Sequence, residues 1–296
     1  METIPAKTIV NRTKDPSWFG TLYNMNIYRG CCHGCIYCDS RSDCYHNDQF
    51  DQVKVKADAL RIIRDDLESK AKIGVVSTGS MSDPYNPFEE ELQLTRRALT
   101  LLEAYGFGMA IATKSDLIVR DIDVLTSIHR TMPAICKVTL TTCDDALAAK
   151  VEPRAPSPSR RLAAVERLSA AGLFTGILMM PILPFLEDSP ENIRDIVDRA
   201  ADAGARFVYP ALGMTCRAGQ REYFYQQLEE RFPGQGLAER YQKRYGPRYE
   251  CPSPRARALW EVFREACDRR GLLTSMGRIV TASRRGHESD QLSLFE

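Results

Sequence analysis

Tyr28-Arg29-Gly30-Cys31-Cys32-His33-Gly34-Cys35-Ile36-Tyr37-Cys38 is the stretch from which the rest of the chain is read. It sets thiols at Cys31, Cys35 and Cys38, a C-x3-C-x2-C spacing, directly behind an apolar, strand-like run over residues 25–28. On so short a loop three thiolates converge on one centre, and thiolate sulfur suits zinc or an iron–sulfur cluster. A structural zinc site is closed by a fourth Cys or His, for which Cys32, His33 and Cys44 are the candidates. Three ligands alone leave one iron of a 4Fe–4S cluster open to an exogenous ligand. Gly30 and Gly34 let the backbone wrap closely around such a group.

Outward from this loop, strand-like and helix-like runs alternate. Residues 24–28, 73–77, 108–113, 136–141, 174–180 and 206–210 read as strands. Residues 55–70, 89–105, 121–129, 159–171 and 190–203 read as helices, and a Pro-rich connector, 152–158, precedes the fourth. Gly106, Gly172 and Gly204 stand just before the next strand, where helix C-caps favour glycine. Serial β-then-α units imply an α/β fold with a parallel sheet and right-handed crossovers. Periodicity alone does not separate a partial barrel from an open sheet.

Composition narrows the setting. The 296 residues carry 44% hydrophobic and 27% charged side chains, enough for a large core under a charged surface. A formal net charge of +1 provides no global field for nucleic acid, so any basic footprint is local. Ten cysteines in a chain of this length are no secreted disulfide scaffold; their clustering implies a reducing cytoplasm. The first residues show no apolar signal core, and the longest apolar run, 172–186, is interrupted by Pro181 and Pro184, so no membrane partner is expected. Four regions are expected: an N-terminal segment, 1–20; a core, 21–215; a helical aromatic and basic extension, 216–282; and a polar tail, 283–296.

The cysteine spacing, with Tyr37 ahead of Cys38, resembles the signature of the radical S-adenosylmethionine (SAM) enzymes. The surrounding YRGCCHGCIYCDSRS is similar to the branch related to spore photoproduct lyase. The resemblance implies a partial (β/α)6 TIM-type barrel with a mainly helical C-terminal extension. It further implies a 4Fe–4S cluster on Cys31, Cys35 and Cys38, SAM on the open iron, and an external electron donor of flavodoxin or ferredoxin type. Barrel chemistry sits at the C-terminal strand ends, where the cysteine loop lies.

Cofactor-binding expectations follow from the same resemblance. Lys114 matches the lysine that meets the cofactor carboxylate, Thr139 falls where relatives carry a serine, and Tyr37 packs at the cluster. Glu152 is a candidate for a ribose or amine, and Pro181 and Ile182 for the adenine face. Each also has an ordinary reading: a solvated strand-end lysine, a satisfied strand threonine, an apolar core position. The chain departs from the family at one point. Ser80 stands where spore photoproduct lyase has the cysteine that returns a hydrogen atom, so Cys143 and Cys216 become the candidate donors, while Cys136 reads as core. Ser80, Asp83 and Tyr85 are expected to face substrate.

Two further features bear on the substrate. Residues 217–257 hold nine Lys/Arg against five Glu, interleaved with Tyr223, Phe224, Tyr225, Phe232, Tyr241, Tyr245 and Tyr249. That composition suits bases stacked on aromatic faces with cations along phosphates, or else helices that close the barrel. The last residues, with Gln291, Leu292, Leu294 and Phe295, resemble the peptide that binds the bacterial DNA sliding clamp. Together with the lyase resemblance this implies radical chemistry on nucleic acid, DNA favoured, for lesion repair or base modification. The rival readings are the same chemistry on RNA or a small molecule, and a non-enzymatic zinc-binding DNA adaptor.

Overall fold

The computed structural model describes residues 1–287, so the clamp-peptide positions Gln291, Leu292, Leu294 and Phe295 lie outside the described residues. Its strands in chain order are β1 (Thr3–Ile4), β2 (Val10–Arg12), β3 (Tyr23–Met25), β4 (Tyr28–Arg29), β5 (Lys54–Lys56) and β6 (Val75–Thr78), followed by β7 (Gly108–Thr113), β8 (Ala134–Thr139), β9 (Phe174–Met179), β10 (Phe207–Pro210), β11 (Gly213–Thr215) and β12 (Glu250–Pro252). The main sheet runs β10-β9-β8-β7-β6-β3-β2; every neighbouring pair is parallel except β2 with β3. Six parallel strands with helices outside them form the partial (β/α)6 barrel expected of the sequence.

Strand phase explains the barrel's two faces, since alternate residues of a strand point to opposite sides. Val76, Met109, Ile111, Cys136, Val138, Ile177 and Val208 join the core under the helices. Val75, Ala110, Ile135, Phe174, Leu178 and Phe207 pack inside the barrel with Phe19 and Ile279, which floor it. Gly176 is required here: a Cβ on it would lie 2.4 Å from the Phe207 ring, which crosses β9 at that point.

Helix starts are local. Ser157-Pro158 and Ser189-Pro190 each place a capping hydroxyl before a proline in the first turn, opening the helices Pro158–Ala170 and Pro190–Asp202. Other bounds differ from the sequence reading. The expected strand over 24–28 is two strands: β3 belongs to the barrel, whereas β4 pairs antiparallel with β5 in a separate sheet. That pairing also takes residues 55 and 56 out of the expected first helix, which spans Ala59–Glu68. The helix expected over 89–105 breaks at Gln93, whose φ is 50°. An additional helix, Asp145–Val151, occupies the approach to the Pro-rich connector, and another, Met276–Arg284, takes up the first two residues assigned to the tail.

The helix Ala256–Arg270 packs on Pro190–Asp202 and contributes Leu259, Phe263, Ala266 and Cys267 to the barrel core. It therefore completes the sixth unit. The segment before it forms a second small core around Phe224, Leu228, Phe232, Tyr241 and Tyr245. Among the described residues no helix is long and apolar enough to cross a membrane.

Candidate active site

The antiparallel pair β4 and β5 closes the base of the cysteine loop. Inside it, the Cys31 amide donates to Phe50 O (2.9 Å), the Ile36 amide to Val151 O (3.0 Å) and the Arg154 amide to His33 O (3.0 Å). These bonds tie the loop to the connector after Asp145–Val151. Cys31, Cys35 and Cys38 thereby line one cavity of about 700 Å³ at the C-terminal ends of β6 to β9. Burial pushes each thiol up, Cys31 to about 12, while Lys114 draws Cys35 and Cys38 the other way. The three sulfurs share a wall rather than a point: among the described residues no three Cys, His, Asp or Glu side chains are gathered for a single metal ion.

Behind that wall lies a buried charge network. Arg161 Nη2 is 2.5 Å from Glu152 Oε2, and both side chains are 1% exposed. Arg161 also donates to Pro156 O (2.7 Å) and Thr139 O (3.2 Å). The Tyr37 hydroxyl donates to Glu152 Oε1, and Lys114 Nζ approaches the same oxygen at 3.9 Å. Burial would raise the Glu152 carboxyl, but Arg161 and then Lys114 outweigh it and hold it below the usual range. Glu187 accepts from the Thr141 hydroxyl (2.8 Å) and the Leu183 amide (2.9 Å), and burial pushes its carboxyl well above the usual range. Thus Glu152, inside the wall, orients Tyr37 and Lys114, which face the cavity.

Asp83 has a different task. Its carboxylate accepts from the Tyr85 amide (2.9 Å), the Thr113 hydroxyl (2.6 Å) and the Lys114 amide (2.7 Å), and lies 3.2 Å from His33 Nε2. It therefore pins the cysteine loop to the end of β7. Burial raises its pKa, yet attraction to the His33 ring and these hydrogen bonds prevail and lower it from 3.8 to about 2. A depressed carboxylate pKa stabilises the fold fully above its unfolded value and ceases to do so as the pH falls through the folded one. Asp83→Asn is expected to cost about 2 kcal/mol at pH 7, with the difference from wild type vanishing between about pH 4 and pH 2. Urea titrations across that range check it; a difference independent of pH would overturn it.

The remaining expected positions divide. Ser80, Thr139 and Pro181 line the cavity, joined by Met180. Ile182 is buried beside Pro181, and Tyr85 is buried in the core, its ring near Arg120. Neither is among the lining residues. Cys143 packs in the core with its thiol on Asp195. Cys216 is fully buried and hydrogen-bonds Cys251, which does line the cavity. Cys136 is a core residue inside β8. Sequence reasoning missed Cys251, Arg161, Trp18 and Lys137; a lysine within an otherwise apolar strand was the one available signal among them.

At the rim, beside the lining residues Asp39 and Ser40, cations stack on aromatic rings, and Arg217 Nε lies 3.2 Å from Asp39 Oδ1. Arg41 lies 3.9 Å from the Tyr223 ring centroid and 4.9 Å from that of Phe50; Arg217 lies 4.5 Å from that of Tyr249. Tyr249 is exposed. Four other aromatics of this segment, Phe224, Phe232, Tyr241 and Tyr245, are buried and close the barrel instead.

Comparison with known proteins agrees with this architecture. An uncharacterized protein of Mycobacterium tuberculosis is 32% identical over 268 residues, covering 88% of this chain and 76% of its own. One from Methanocaldococcus jannaschii is 31% identical over 187 residues, 62% of this chain and 68% of its own. Spore photoproduct lyase complexed with dinucleoside spore photoproduct superposes with a TM-score of 0.67 at 17% identity, over 92% of this chain and 80% of that one, a likeness of fold. The pattern of the radical SAM superfamily matches residues 25–200, which takes in the cysteine loop and the strands that shape the cavity. With the loop, the cavity and that match in agreement, the chain belongs to the radical SAM superfamily.

Proposed function

We propose that this radical SAM enzyme holds a 4Fe–4S cluster on Cys31, Cys35 and Cys38 and acts on nucleic acid, with DNA favoured. The observation that carries the reading is one cavity lined by three thiols and Lys114, with Asp39 on its wall paired to Arg217, which stacks on Tyr249. The residues fit the group. In a multi-iron cluster each thiolate meets its own iron, so the sulfurs need to face one space and not one point. Lys114 stands beside them as a cation for the SAM carboxylate, and Met180 and Pro181 offer an apolar wall for adenine. When bound, cluster and SAM supply a 5′-deoxyadenosyl radical that abstracts hydrogen from substrate.

The chain's own residues do the rest. Glu152 fixes Lys114 and Tyr37 in place. The aromatic and cationic rim suits a strand whose bases stack while its phosphates meet arginine. Cys251, 1% exposed at the cavity's edge, is the candidate to return a hydrogen atom: its S–H bond breaks, a C–H bond forms on the substrate radical, and the unpaired electron is left on its sulfur beside Cys216. Spore photoproduct lyase, known in complex with dinucleoside spore photoproduct, makes that dinucleoside the first substrate to try.

One assay tests both parts. After anaerobic reconstitution, 5′-deoxyadenosine is measured with UV-irradiated DNA, undamaged DNA, RNA and no substrate; an excess with irradiated DNA is expected, and equal yields would remove the DNA reading. In D2O the thiol carries deuterium into the product. Cys251→Ala is expected to abolish that label, and its retention would exclude Cys251 as the donor.

A further inference from the structure

A lysine with no hydrogen-bond or ion-pair partner among the described residues stands in the middle of the barrel. β8 turns Ile135, Lys137 and Thr139 inward in successive layers: Ile135 meets the floor, and Lys137 and Thr139 line the cavity. Lys137 is 1% exposed. Its registered neighbours are Ala112 on β7 and Gly176 on β9, the latter covered by the Phe207 ring. Nζ lies 4.5 Å from the centroid of the Phe19 ring. Among the described residues it has no hydrogen bond or ion pair, and burial brings its pKa down to about 7, the Cys136 thiol pulling the other way.

An unpaired amine in such a place costs stability, and the cost turns into selectivity when a ligand supplies the acceptor. The walls around it say which acceptor. Trp18, Leu178, Met180 and Leu212 are apolar, with the hydroxyls of Ser77 and Thr78 nearby. A phosphodiester carries a full charge and is ordinarily met by several cations or amides. A single amine, only partly charged at neutral pH and set over an aromatic floor, suits a neutral carbonyl on a flat ring.

We propose that Lys137 is a substrate-anchoring donor, hydrogen-bonding a carbonyl oxygen of a nucleobase drawn into the barrel above Phe19. This rests on the nucleic-acid reading above and adds the group that is held and the residue that holds it. Rim arginines and tyrosines receive the strand; Lys137 selects the base.

The test uses the full chain and a UV-irradiated thymidylyl dinucleotide, with binding measured by calorimetry. Lys137→Met keeps the length and removes the donor. It is expected to raise the Kd by about tenfold or more, the loss of one buried hydrogen bond, and Lys137→Arg is expected to recover part of it. An unchanged Kd in Lys137→Met overturns the assignment and leaves the nucleic-acid reading standing. Absence of binding to the wild type overturns that reading and this one with it. Because an apolar side chain replaces a buried unpaired amine, the thermal midpoint of Lys137→Met is expected to hold or rise. Should the variant fail to fold, acetic anhydride labelling of the wild type decides: Lys137 is expected to be protected by the dinucleotide, and labelling at an equal rate with and without it overturns the proposal.

Discussion

Replacing Cys31, Cys35 or Cys38 singly by alanine is expected to strip the reconstituted protein of most of its iron and sulfide and to reduce 5′-deoxyadenosine formation to the background without enzyme. The size of the effect follows from the count of ligands. A cluster held by three thiolates has no spare one on the loop: Cys32 and Cys44 are not among the lining residues of the cavity. His33 is buried against Asp83. Cys32→Ala and Cys44→Ala are therefore expected to retain iron at the wild-type level. Iron and sulfide analysis of anaerobically purified protein checks all five variants. One zinc per chain, lost in Cys32→Ala or Cys44→Ala, would instead establish the zinc-binding adaptor and end the radical reading.

Arg161→Met is expected to destabilise the protein by about 3–5 kcal/mol, the penalty for leaving one partner of a buried ion pair uncompensated. Arg161 neutralises Glu152 at 2.5 Å and caps the carbonyls of Pro156 and Thr139. Without it, Glu152 keeps only the Tyr37 hydroxyl and Lys114 at 3.9 Å, both drawn from the cofactor side of the wall. The thermal midpoint is expected to fall by about 10 °C on the scaling for chains of this size. In the double variant Arg161→Met/Glu152→Gln no charge is orphaned, so part of the loss is expected to return. Urea unfolding of the two singles and the double measures it; a cost below about 1 kcal/mol for Arg161→Met would mean that water reaches the pair.

The same residues show how far reading the chain reaches. Cys31, Cys35 and Cys38 were legible because a ligand set on one short loop is a matter of spacing along the backbone, which no later packing alters. The bounds of β7 were legible too, for residues 108–113 carry an uninterrupted apolar pattern closed by a glycine on one side and Lys114 on the other. The first strand was not: the pattern over 24–28, with Asn24 and Asn26 alternating with apolar residues, reads as one strand, and only hydrogen bonding to two different sheets divides β3 from β4. The helical extension was likewise ambiguous, since Tyr223 and Tyr241 look alike in sequence while one lies under Arg41 and the other is fully buried.

What the amino-acid order determined by itself was the local chemistry: three thiols in ligand spacing, helices opened at Ser157-Pro158 and Ser189-Pro190, and strands whose alternation with helices implies a parallel α/β sheet. Tertiary structure alone decided which side chains share a space. Cys251 reaches the cavity because β12 pairs with β11 in one register, and Lys137 because the phase of β8 turns it inward between Ala112 and Gly176. A shift of one residue in either strand would send the group it carries to the opposite face, and no periodicity in a single sequence records that choice.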